Sequence, residues 1–204
     1  MSPVSAEDVR ALRDRTGAGI LDCRAALEEA DGDPDKAVEI LRVRGQASAA
    51  KREGRATGEG VLASYIHATG KVGALVEVQC ETDFVARTDE FRGFAREVAL
   101  HIAGAPSPPV YVAPEEIPDE LREAERDVHE RKARKDGKPD DVVERIVAGQ
   151  LEKWEREVAL LDQEHINSDR YEGKTIEELR AELAAKTGEN IRIARFARFV
   201  VGEE

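Results

Sequence analysis

Aromatic side chains are scarce in this 204-residue chain: one Trp, three Tyr and five Phe, 4% of the total. A large β-sandwich or barrel draws heavily on aromatic and β-branched residues, so that architecture is excluded. Cysteine is limited to Cys23 and Cys80. Neither has a C-x-x-C partner or a metal-like histidine neighbour, so both read as small buried hydrophobes of a reducing compartment. No apolar run approaches a membrane span, and the opening Met1–Asp8 stretch is not that of a signal peptide. Cytoplasm is the expected location. Basic charge is in deficit: 31 Lys and Arg against 43 Asp and Glu leave a net charge of −12 at pH 7. Phosphate binding needs a basic footprint, which excludes nucleic acid as the primary partner despite a local cluster at Arg42, Arg44, Lys51 and Arg52. An acidic balance suits a basic protein surface instead.

Catalytic signatures are missing too. The chain has no H-E-x-x-H, no G-x-S-x-G and no histidine whose context pairs it with a nucleophile. Acid clusters are ordinary on solvated helix faces when 36% of residues are charged. Gly17-Ala18-Gly19 lacks the preceding strand and the remaining residues of a phosphate loop, so it reads as a turn between helices. No enzyme active site, cofactor or metal site is expected. A binding protein is.

The residues that are present describe an α+β fold. Residues 1–54 form a three-helix module with a connector. Ser5 with Asp8 resembles a capping box, opening a helix with Val9 and Leu12 inward. Gly17 stands where a left-handed residue ends that helix. The second helix, from about Ile20 to Ala30, points Leu21, Ala25 and Leu27 at the core; alternatively, Ile20 and Leu21 stay exposed as a small apolar docking patch. Asp33 and Pro34 cap and start a third helix, buried through Val38, Leu41 and Ile40. Residues 45–58 read as a connector with helical tendency.

Residues 55–204 form the core domain. Val61–His67 and Val72–Cys80 make a β-hairpin around a turn in which Gly70 takes a positive φ. A helix runs through Ile102. A charged antiparallel helical hairpin is inserted at 114–161, with Ile117, Leu121, Ala124 and Val128 facing Val143, Ile146, Gln150, Trp154, Val158 and Leu161. His129 and His165 read as solvated. Thr175 with Glu178 caps another helix, ended by Gly188. The strand Asn190–Val201 completes an antiparallel three-stranded sheet with helices on one face; Arg195 shares a face with Ile193 and Phe199, which suggests a bulge or a register change near Ala194. The remaining sheet edge and face make self-association an expectation.

The junction between strand and helix, Cys80-Glu81-Thr82-Asp83-Phe84-Val85-Ala86-Arg87, draws the eye. Thr82 is an N-cap with Asp83 in the first turn, where the helix dipole favours a carboxylate. Thr88 is a second N-cap, so the helix starts as a turn at 83–86 and restarts at 89. Two readings of Phe84 stand side by side: an ordinary core residue, or a ring held out for a partner.

The stretch Leu12-Arg13-Asp14-Arg15-Thr16-Gly17-Ala18-Gly19-Ile20-Leu21-Asp22-Cys23-Arg24-Ala25-Ala26-Leu27 resembles the first signature of the bacterial elongation factor Ts family. Cys80–Arg87 resembles its second. Gly137-Lys138-Pro139 and the Gly188-Glu189-Asn190-Ile191 to Phe199 strand match later parts in order, so the resemblance runs end to end. It implies a guanine nucleotide exchange factor for the translational GTPase elongation factor Tu. It also implies that residues 1–54 are a ubiquitin-associated-like docking domain. Arg13, Gly17, Gly19, Ile20 and Leu21 would then dock, and Thr82, Asp83, Phe84 and Val85 would disturb the magnesium and phosphate side of the nucleotide pocket. The strand-and-helix core occurs once, as in the short form of the family, which implies a homodimer through the core sheet. Leu161-Asp162-Gln163-Glu164-His165 departs from the family, where a proline and an aromatic commonly follow the glutamine.

Overall fold

The computed structural model describes residues 4–203; Met1–Pro3, the start of the stretch judged not to be a signal peptide, and Glu204 lie outside the described residues. The fold is α+β. Three N-terminal helices, α1 (Ala6–Thr16), α2 (Ile20–Glu29) and α3 (Pro34–Ala50), precede strands β1 (Glu59–Ile66) and β2 (Val72–Cys80). Then come α4 (Asp83–Ala86), α5 (Asp89–Gly104), the paired α6 (Asp119–Lys135) and α7 (Asp140–Val158), α8 (Ser168–Tyr171), α9 (Ile176–Thr187) and β3 (Arg192–Val200). Among the described residues the sheet is three-stranded, in the order β1-β2-β3, and no helix is long and apolar enough to cross a membrane. The chain divides into two compact units: Met1–Val61, Val78–Phe94 and Glu178–Arg192 make one, and Leu62–Glu77, Ala95–Glu177 and Ile193–Glu204 the other.

In the first unit, the Ser5–Asp8 capping box opens α1, and Gly17 closes it at φ 69° with its N–H donating to the Arg13 carbonyl. Asp33 caps α3 by accepting the Asp35 and Lys36 amides at 3.0 and 3.2 Å. The core of this module is Val9, Leu12, Cys23, Ala26, Leu27, Ala30 and Ala37, with Val38, Ile40 and Leu41 packed half-buried against it. One expectation is corrected. On α2, Leu21 and Ala25 are exposed, because the helix turns Cys23, Ala26 and Leu27 inward. The helical tendency expected in the connector is continuous with α3, which runs on to Ala50. Gly45 lies within that helix, where a Cβ would meet the Ala185 methyl of α9 at 3.4 Å. At the start of β1, a Cβ on Gly60 would lie 2.2 Å from the Val78 carbonyl oxygen.

The second unit holds the helical pair and the far end of the sheet. Gly137, at φ 71°, turns α6 into α7. The seam is Ala133, Val143 and Val147, with Ile146 against it, and Leu151 is buried further along. The expected stripe is thus corrected by about one residue of rotation. Leu121, Ala124, Val128 and Gln150 are exposed, and an ion pair between Arg122 and Glu155 occupies the space between the helices where Leu121 was expected.

His165 is not solvated but fully buried, as is His101. His101 Nε2 is 2.8 Å from Gln163 Oε1 and its Nδ1 accepts the Ile166 N–H at 3.2 Å. Gln163 donates its amide to the Ser107 and Glu157 carbonyls, so its oxygen must be the acceptor from His101. His165 Nδ1 accepts the Asn167 N–H at 3.1 Å, and its Nε2 faces the Glu97 carbonyl at 3.3 Å. Its ring meets Tyr171 edge-on at 4.3 Å. Both imidazoles are thereby held neutral. Burial pushes His101 down to about 4 and also lowers His165. His129 is half-buried and pairs with Glu125.

Candidate partner-binding site

Strand β2 buries Ala74, Val76, Val78 and Cys80 in strict alternation, then breaks at Glu81. Thr82 is extended (φ −128°, ψ 154°), and its hydroxyl accepts the Val85 amide at 3.4 Å as the cap of α4. The turn closes through Ala86 N–H to the Thr82 carbonyl and Arg87 N–H to the Asp83 carbonyl. Thr88 then donates to the Val85 carbonyl and accepts the Phe91 amide, so it restarts the chain as α5. Helical geometry sets what this single turn presents. Ala86 is buried, whereas Phe84, two residues back and on the opposite side, is 80% exposed. The four apolar residues that follow helical spacing after it, Phe91, Ala95, Val98 and Ile102, are all buried. Phe84 therefore departs from the pattern, and the core reading of its ring is corrected. Asp83 pairs with Arg87 at 2.7 Å, and Val85 is half-buried.

The corner is pinned from a distant loop. Glu189, between α9 and β3, accepts the Glu81 and Thr82 amides at 3.0 and 3.1 Å and the Thr82 hydroxyl at 2.6 Å. In return, Glu81 accepts the Asn190 amide at 2.7 Å and pairs with Arg55. These two bonds hold its carboxyl below the usual carboxylate range. Asn190 donates its side-chain amide to the Glu53 and Arg55 carbonyls. Beneath the corner, the Cys80 thiol points at the Thr82 carbonyl at 3.2 Å. Burial, reinforced by the Glu189 charge, pushes it up to about 11, so it is a packing group and not a nucleophile.

The second group of predicted residues lies at the α1–α2 turn. Gly19 precedes α2 in an extended conformation, Ile20 and Leu21 are 56% and 81% exposed, and Arg13 is exposed on α1. Gly17 is close to α9: a Cβ there would sit 2.9 Å from Lys186 Cε. Lys186 runs past Gly17 to pair with Glu90 in the first turn of α5 at 2.5 Å. The structure thus brings both predicted groups into one compact unit, with Lys186 spanning the turn that carries one and the helix that follows the other. Neither Lys186 nor Glu189 was singled out as a functional residue in the sequence, where nothing local distinguishes them. Among the described residues, no group of three or more His, Cys, Asp and Glu is placed to hold a metal ion.

A separate apolar surface lies in the second unit. The bonds from His67 N–H to the Val72 carbonyl and from Val201 N–H to the Lys71 carbonyl set the antiparallel register. In that register Gly73 lies between Ile66 and Phe199, and Leu75 between Ser64 and Ala197. The Arg195–Glu77 pair, at 2.7 Å, fits the same register. The register is the same at Arg195 and at Val201. Arg195 and Phe199 both face outward, whereas Ile193, at the start of the strand, is buried. Ile66, Phe199 and Val201 are each more than 70% exposed and Leu75 43%. They surround the missing side chain of Gly73 in a shallow depression of about 390 Å³.

Comparison with known proteins follows the same outline. A sequence profile of the family described as elongation factor TS matches residues 36–172. The chain is 51% identical to elongation factor Ts of Carboxydothermus hydrogenoformans over 200 residues, covering 98% of this chain and 90% of that one. It is 49% identical to the Solidesulfovibrio magneticus protein of the same name over the full length of both. Identity to the Geobacter sulfurreducens protein is 47%, over 98% of this chain and 90% of that one.

Proposed function

Because the chain belongs to the elongation factor Ts family, and so is a guanine nucleotide exchange factor for elongation factor Tu and not an enzyme, we propose that the Thr82–Val85 corner is the element that releases the nucleotide. The observation that carries this reading is Phe84: a large apolar ring, 80% exposed, on a turn fixed by its own cap. Burying such a ring in a partner is worth about 1.5–3 kcal/mol. In this reading Phe84 wedges into the GTPase beside the magnesium and phosphate side of its pocket. Asp83, oriented by Arg87, disturbs the magnesium environment. The energetics are those of linkage. The factor binds the nucleotide-free GTPase more tightly than the GDP-bound form, and each ligand weakens the other by the same factor.

Residues 1–54 act as the docking domain, with Arg13, Gly17, Gly19, Ile20 and Leu21 at the contact. Residues 55–204 form the core, with the hairpin of 114–161 inserted. The exposed sheet face around Gly73 supports a homodimer in which two copies cover each other's Ile66, Leu75, Phe199 and Val201. The setting is the cytoplasm, where elongation factor Tu is found. The test is release of labelled GDP from elongation factor Tu with sub-stoichiometric amounts of this protein. Acceleration with turnover is expected; no acceleration would refute the reading.

A further inference from the structure

The loop between α9 and β3 clasps the entry to the corner, where the turn's own side-chain cap is long. Within α4, the cap is one long hydrogen bond from the Val85 amide to the Thr82 hydroxyl at 3.4 Å. Glu189 supplies three shorter ones, all to the two residues immediately before Asp83. A hydroxyl has one proton to donate. When Thr82 gives it to Glu189, a lone pair is left to accept the Val85 amide. The carboxylate therefore sets both the path of the chain into the turn and the direction of its cap.

We propose that Glu189 is a positioning residue for nucleotide exchange, its carboxylate fixing the angle at which Phe84 is presented to the GTPase. This rests on the reading of Phe84 as the exchange element. A purely structural role fits the geometry less well. Among the described residues, the hydrogen bonds of the Glu189 carboxylate end on Glu81 and Thr82, and neither residue is buried. Asn190, beside it, carries the separate ties to the Glu53 and Arg55 carbonyls. The apolar residues under the corner, Cys80, Ala86 and Phe91, are buried, and none of them bonds the Glu189 carboxylate. Without Glu189, the Glu81 and Thr82 amides lose a charged acceptor, the Thr82 hydroxyl is free to rotate, and Phe84 samples a range of angles.

The experiment is single-turnover GDP release from elongation factor Tu over a range of factor concentrations, which separates the maximal rate from the half-saturating concentration. Glu189→Ala is expected to lower the maximal rate about tenfold, the size of one charge-assisted hydrogen bond. The half-saturating concentration should change less than about threefold, since Ile20 and Leu21 are untouched. Thr82→Val removes one of the three Glu189 bonds together with the Val85 cap, so it should also lower the maximal rate, and the double variant should lose less than the sum of the two, because the hydroxyl–carboxylate bond is lost in both. Glu189→Gln, which keeps an acceptor for the amides, should fall between Glu189→Ala and the parent, and it carries the test should Glu189→Ala not fold. A wild-type maximal rate in Glu189→Gln and Glu189→Ala, with Phe84→Ala still impaired, would overturn this inference and leave the exchange reading standing. A parallel loss of melting temperature, rate and affinity would also overturn it, by showing a structural role. Full activity in Phe84→Ala would instead remove the reading on which it rests.

Discussion

Acid should weaken this fold through its buried histidine pair. At neutral pH, His101 and His165 are uncharged, and each Nδ1 accepts a backbone amide, from Ile166 and Asn167 respectively. A proton added at either Nδ1 would face an N–H, and the bond would have to break. Glu97, Arg170 and Tyr171 are the other titratable groups around the pair, with Glu97 favouring a charge on His165 and Arg170 opposing it. Burial lowers His101 from 6.5 to about 4. The unfolded chain therefore takes up a proton first as pH falls. The stabilisation is complete above about pH 6.5, declines below it and is exhausted near pH 4. Its full size is about 3 kcal/mol, or roughly 6–12 °C in melting temperature for a chain of this length. Many carboxylates titrate in the same range, so the assay is a difference: thermal or urea unfolding between pH 7 and 4.5 for the parent and for His101→Gln, which keeps an acceptor but cannot charge. The variant should lose less stability over that interval. Equal losses would refute the argument.

Three further outcomes follow from positions away from the corner. Leu75→Asp puts a charge in the centre of the proposed dimer face, where an unpaired buried charge costs several kcal/mol. Sedimentation at micromolar concentration should show a dimeric parent and a monomeric variant, and a monomeric parent would rule the dimer out. Gly17→Ala asks a Cβ to adopt φ 69° against a movable lysine stem, and should cost about 1–2 kcal/mol by urea titration. Gly60→Ala sets its methyl 2.2 Å from a backbone oxygen that cannot rotate away. It should destabilise by more than Gly17→Ala, and the reverse order would contradict the packing described.

Local signals carried much of this structure in the sequence. The Ser5–Asp8 box, Asp33–Pro34, Gly70 and Thr82 each act within three residues of themselves, so their effects are readable from neighbours alone. Strand β2 is legible for the same reason, because alternation requires only that one face be buried. What escaped depends on distance. His165 looks like any polar loop residue until Gln163, His101 and Tyr171 close around it. The hairpin seam was displaced by one residue because Arg122 and Glu155, which read as surface charges, pair between the helices. At the corner, the cap was visible but the clasp was not: Glu189 lies 107 residues from Thr82, and a glutamate in a loop carries no mark of its partner.

Phe84→Ala measures the central claim most directly. Phe84 is 80% exposed, so its removal should change stability by less than about 0.5 kcal/mol. Loss of a buried anchor in the complex, about 2 kcal/mol, should slow GDP release from elongation factor Tu by about thirtyfold. The account predicts an unchanged melting curve with that loss of exchange. Exchange at the parental rate, or a variant that no longer unfolds cooperatively, would contradict it.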